Sequence, residues 1–101
     1  MSLKKKYLES KPECKVTFRL TKDVTNSFKE VNLVGEFNNW SQKANPMKKL
    51  KSGDFSLTIN LKKGNDYQFK YLANHNEWLN DEGADQFVTN EFLGQNSVVS
   101  I

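Results

Sequence analysis

The strongest constraint on this chain is a period of two. Phe55, Leu57, Ile59 and Leu61 alternate with Ser56, Thr58 and Asn60, and Cys14, Val16, Phe18 and Leu20 alternate with Lys15, Thr17 and Arg19. Successive side chains of a strand point to opposite sides of a sheet, so this rhythm describes strands with one face buried and one face wet. Tyr67, Phe69, Tyr71 and Ala73 repeat it, with Gln68 and Lys70 outward. No stretch sustains a helical period, and turn residues separate the runs at Ser52-Gly53-Asp54, Lys63-Gly64-Asn65-Asp66 and Asn74-His75-Asn76. With shorter extended segments near 46–50, 77–80, 86–88 and 97–101, this makes about seven to eight strands. The expected fold is all-β, an immunoglobulin-like antiparallel β-sandwich.

A chain of 101 residues has room for one modest core. Residues 14–101 are read as a single sandwich and residues 1–13 as an N-terminal arm with room for one helical turn before Pro12. Residues 22–30 are read as a loop that returns Phe28 to the core. The single cysteine, Cys14, has no partner for a disulfide or a shared metal, which fits a reducing compartment. The basic residues near the start are followed by no apolar run, so neither a signal peptide nor a membrane span is expected there, and a cytoplasmic location is. The net charge of +3 comes from lysines in small scattered groups, which usually form a solvated face. Neither nucleic acid nor membrane is therefore expected as a partner.

One stretch changes character abruptly. Val31, Leu33 and Phe37 are placed on one face of a strand and Asn32, Val34 and Glu36 on the other, with Gly35 leaving room for a backbone or an aromatic ring. The apolar rhythm stops after Phe37. Trp40 then sits alone among Asn38, Asn39, Ser41 and Gln42. A pyranose ring offers an apolar face of C–H groups and an equator of hydroxyls, so a sugar site needs flat aromatic surface edged by hydrogen-bonding side chains. Trp40 has that setting, and Trp78, near Asn74, Asn76 and Glu77, has it too. The competing expectation for either ring is that it plugs the sandwich.

Gly35-Glu36-Phe37-Asn38-Asn39-Trp40, then Pro46-Met47, Gly64, Tyr67-Gln68-Phe69-Lys70-Tyr71, Trp78 and Leu93-Gly94-Gln95-Asn96 also follow a familiar order and spacing. The pattern resembles the isoamylase N-terminal or early set family, carbohydrate-binding module family 48, which includes the glycogen-binding domain of the AMP-activated protein kinase β subunit. The resemblance runs from about Cys14 to Ile101. It implies a non-catalytic module for α-1,4-linked glucan such as glycogen, starch or a maltooligosaccharide. Trp40 and Trp78 would stack on glucose units. Lys70 occupies the place of the lysine that bonds sugar hydroxyls in the family, and Leu93 and Asn96 those of a ring-contacting leucine and a hydroxyl-binding asparagine; Asn38 is a further expected hydrogen-bonding residue. Two departures stand out: the loop ending in Asn96 is one residue shorter than the kinase type, and the segment from Lys70 to Trp78 is one longer. The alternative reading keeps the early set sandwich but gives it to protein binding, with a separate glucan-metabolising enzyme or a second copy of the chain as partner.

No cofactor is expected. His75 is the only histidine, and Asp81, Glu82 and Asp85 lack the spacing of a calcium loop. No nucleophile sits in a plausible triad, and a small sandwich rarely offers the two-carboxylate cleft of a glycosidase, so an enzyme is not expected.

Overall fold

The computed structural model describes residues 2–25, 27–91 and 94–101, and these form two facing antiparallel sheets. The first sheet orders its strands β1 (Ser2–Tyr7), β2 (Glu13–Leu20), β5 (Phe55–Lys62) and β4 (Lys48–Lys49) as β1-β2-β5-β4. The second comprises β3 (Val31–Gly35), β6 (Asp66–Ala73), β9 (Gln95–Ser100) and β8 (Gln86–Thr89) in the order β3-β6-β9-β8, with β7 (Glu77–Leu79) paired to β6. The expected all-β sandwich is the fold observed.

The alternating residues meet between the sheets. Val16, Phe18 and Leu20 from the first sheet and Leu33, Phe69, Tyr71 and Val99 from the second are fully buried. Phe69 is the aromatic pivot, edge-on to Phe18 at 5.1 Å and to Tyr71 at 5.6 Å between centroids. Each such pair adds about 0.5–1.5 kcal/mol beyond the area it buries.

The structure corrects three sequence expectations. Residues 2–7, expected as an arm with room for a helical turn, form β1, which pairs with β2 from Ser2↔Arg19 to Tyr7↔Cys14. Leu3 packs against the core, and Lys5 bridges to Asp85 beside the second sheet at 2.6 Å. A lysine-rich run gives no apolar signal, but the backbone groups on β2's open side still need partners. Within 22–30, Lys22–Thr25 forms one helical turn, α1, whose Thr25 is buried and donates its hydroxyl to Thr21 O and Gly53 O. Finally, β3 is buried throughout, Asn32 and Val34 included, and it ends at Gly35 rather than Phe37. Residues 45–47 run beside it, with Leu33 N donating to Asn45 O and Met47 N to Val31 O, so the strand is covered on the side that its own pattern left open.

Candidate functional site

The departure of the chain from β3 builds one wall of the site. A Cβ on Gly35 would lie 2.7 Å from the Gln68 carbonyl oxygen and 2.8 Å from Phe37 Cζ, so only glycine lets the Phe37 ring fold back across this position. Phe37 thereby reaches the core within a 3-10 turn, Glu36–Asn38, standing 5.9 Å from Phe18 and 6.2 Å from Tyr67 between centroids. Glu36 takes over where the ladder stops, accepting the Gln68 N–H on its carboxylate at 2.7 Å. Asn38 then locks the turn: it donates to Leu33 O and Asn45 Oδ1 and accepts from Gly35 N and Ser41 N. Those contacts use both amide hydrogens and both lone pairs of its oxygen.

The next two residues, Asn39 and Trp40, both lie in the left-handed region, at φ 56° and 58°. Asparagine tolerates that conformation and tryptophan does not favour it. The strain is held by the Trp40 N–H, which donates to Gly35 O at 2.8 Å. Phe37 is turned in and Trp40 is turned out, 39% exposed.

Strand β6 supplies the floor. Because Phe69, Tyr71 and Ala73 face the core, Gln68, Lys70 and Leu72 face away from it. Register places Leu72 opposite Trp78, so Trp78 stands on the same outer face, 44% exposed. The hairpin from β6 to β7 turns through Asn74 and His75, both with positive φ, and closes with Asn76 N donating to Ala73 O. Positive φ at both central residues is what a type I′ turn requires, and it suits the twist of a hairpin. The Asn74 side-chain oxygen accepts the N–H groups of Lys29 and Glu30, pinning the turn to the preceding loop.

Trp40 and Trp78 line one open groove of about 750 Å³ together with Gln68, Lys70, Asn90, Glu91 and Asn96. Its polar groups are already ordered. Asn90 donates to Asn96 Oδ1, and Asn96 donates to Gln68 Oε1 at 3.0 Å. Lys70 Nζ donates to Gln95 O at 2.8 Å, a carbonyl that Asn80 also contacts. Desolvation on the half-buried sheet face lowers the Lys70 pKa below that of an ordinary lysine.

Among the residues singled out from sequence, Trp40, Lys70, Trp78 and Asn96 are brought together in this groove. Asn38 is not at its surface in the expected role, because its whole amide is committed to the turn beneath Trp40. Leu93 lies outside the described residues. Sequence reading passed over Gln68, Asn90 and Glu91 as groove residues. Gln68 was detectable, being two residues from Lys70 on the same strand face. Asn90 and Glu91 follow β8 and reach the groove only through the β8–β9 pairing, which no local pattern encodes.

The family described as the glycogen recognition site of AMP-activated protein kinase matches residues 15–101. The chain belongs to that family. No curated protein matches it. Cys14 is fully buried, as are Tyr71 and Asp81, whose hydroxyl–carboxylate bond of 2.7 Å ties the segment after β7 to β6. Burial, with the Asp81 charge and hydrogen bond adding to it, raises the Tyr71 pKa well above that of a free tyrosine. Among the described residues, no group of three or more histidine, cysteine or acidic side chains could hold a metal ion.

Proposed function

We propose that this protein is a non-catalytic module that binds α-1,4-linked glucan in the groove between Trp40 and Trp78. The observation that carries the reading is that two exposed tryptophans share one groove with Lys70 and a chain of amides, in a member of a glycogen-recognition family. The indoles offer stacking area to the C–H faces of glucose units. Lys70 and the free hydrogen-bonding capacity of Gln68 and Asn96 meet the hydroxyls. Asn38 positions Trp40 without touching the sugar. Because the amides are prearranged by their own hydrogen bonds, little ordering is needed when sugar arrives. The stacking is nonetheless exposed and the hydrogen bonds compete with water, so short oligosaccharides bind with a Kd on the order of micromolar to millimolar.

Calorimetric or NMR titration with maltoheptaose tests this. Trp40→Ala and Trp78→Ala should each weaken binding by about tenfold or more while the protein stays folded, equivalent to about 1.4 kcal/mol. Shifts that spare both tryptophans and β6, or an unchanged Kd in both variants, would overturn the assignment.

A further inference from the structure

Strand β1 ends the first sheet with one side open. At six residues it is the longest such edge among the described residues: β8 has four, β7 three and β4 two, and β3 is flanked by residues 45–47. The Leu8 N–H donates to Glu13 O, which sets the phase of the β1–β2 ladder. Bonded positions alternate in an antiparallel pair, so Lys4 and Lys6 bond to β2, and Leu3, Lys5 and Tyr7 turn their N–H and C=O groups to the open side.

The seam behind this edge is only partly filled. Register sets Leu3 opposite Phe18, Lys5 opposite Val16 and Tyr7 opposite Cys14, so all three side chains lean inward. On the second sheet Phe87 shares a row with Ser97 and Phe69 and leans inward too. Phe69 and Ser97 are fully buried, yet Phe87 is 43% exposed and Tyr7 51%. The Lys5–Asp85 ion pair spans the seam between them. Because Phe69 meets Phe18, Phe87 stands at the level of Leu3, with Tyr7 beyond the ion pair in the other direction.

Charge selects what fits there. Lys4 and Lys6 point outward, are exposed, and make no ion pair or side-chain hydrogen bond among the described residues. Lys6 also stands directly opposite Lys15, an arrangement of like charges that works against the pairing of β1 with β2. Lysines on an edge ward off other strands. Those they repel include a second copy of β1; an acidic strand is the one they attract.

We propose that β1 takes up an extended acidic segment of a partner protein as a further antiparallel strand. The segment's backbone closes on Leu3, Lys5 and Tyr7. Its carboxylates stand opposite Lys4 and Lys6, at the non-hydrogen-bonded positions where facing side chains come closest. Apolar side chains at alternate positions cover Phe87 and Tyr7 in the seam. The groove of Trp40 and Trp78 lies on the outer face of the other sheet and stays open, so one copy holds both ligands.

The test is an amide NMR titration at low salt with the capped peptide Thr-Val-Glu-Thr-Glu-Val-Thr. Saturable shifts should cluster at residues 3–7 and 85–89, and hydrogen exchange of the Leu3, Lys5 and Tyr7 amides should slow. N-methylation of the peptide's central threonine removes a ladder bond without changing charge, and should weaken binding at least tenfold. The double variant Lys4→Glu, Lys6→Glu should lose this peptide and gain the one with lysine in place of both glutamates, a reversal that mere loss of folding does not produce. Phe87→Thr, which keeps strand propensity and removes the ring, should weaken binding severalfold. Trp40→Ala should leave it intact, which separates this edge from the glucan groove. Equal binding of the N-methylated peptide, non-saturating shifts spread over Lys15 and Lys62, or shifts at residues 3–7 that follow protein concentration without peptide, as a second copy would give, would overturn the proposal.

Discussion

The two tryptophans reach the same groove by different supports. Trp40 is held locally: Gly35, Glu36, Asn38, Ser41 and Asn45 lie within eleven residues and make most of the bonds that shape its turn. Trp78 is held at a distance. Its strand is three residues long, its turn is pinned by Asn74 to Lys29 and Glu30 across 45 and 44 positions, and the chain beyond it is anchored by Asp81 to Tyr71 and Ser97. A local support reads out as a sequence motif. A distant one does not, although the ring it presents is just as exposed.

The largest expected effect falls on the local support. Asn38→Ala leaves Leu33 O, Gly35 N and Ser41 N without their side-chain partner and should cost about 2–3 kcal/mol. For a domain of this size that lowers Tm by on the order of 10 °C, measurable by thermal melting. Asn38→Asp, which keeps the acceptor and loses the donors, should recover part of it. A loss below about 0.5 kcal/mol in the alanine variant would mean that the turn does not depend on this amide.

The corresponding cut at the distant support is Tyr71→Phe, which strips a partner from buried Asp81 and should cost about 1–3 kcal/mol. It also has a pH signature. Tyr71 has its pKa raised in the folded state, so its contribution is fully present below the unfolded value of about 10 and is lost as pH rises beyond it. Denaturant melts across that range should show a shallower alkaline decline in Tyr71→Phe than in wild type; identical slopes would show that another group governs the decline.

Asn74→Ala is expected to be milder, about 1 kcal/mol, since it removes one exposed acceptor and places alanine at φ 50°. Asn74→Gly relieves the backbone part and leaves the loss of the acceptor, so the difference between the two, read by denaturant melts, separates the contributions. Both should weaken maltoheptaose binding less than Trp78→Ala does. The smallest effect on stability belongs to Trp40→Gly. Glycine accepts φ 58° freely, so stability should hold or rise by up to about 1 kcal/mol while sugar binding disappears. A clear destabilisation would mean that the ring packs more than its exposure indicates.

How much of this was legible follows the same division. The rows Cys14 to Leu20, Phe55 to Leu61 and Tyr67 to Ala73 announced their strands because each buries one face, and the outward place of Lys70 came with them. Gly35 was recognisable as a point of close approach, and the structure names the visitors as the Phe37 ring and the Gln68 carbonyl. Residues 2–7 were misread because an edge strand rich in lysine takes its shape from the neighbour it pairs with. Asn38 was read as a sugar contact because its amide chemistry is visible in sequence while its four partners are not.

Sequence alone therefore determined the sandwich and the break in apolar rhythm that sets Trp40 among amides, since periodicity and the chemistry of single side chains are local properties. Tertiary structure decided which amides are already spent, that β3 is buried on both faces, and that Asn90 and Glu91 join the groove of Trp40 and Trp78. These are matters of register and partner choice between strands far apart in the chain, and a hydrogen bond is assigned only when both of its ends are in place.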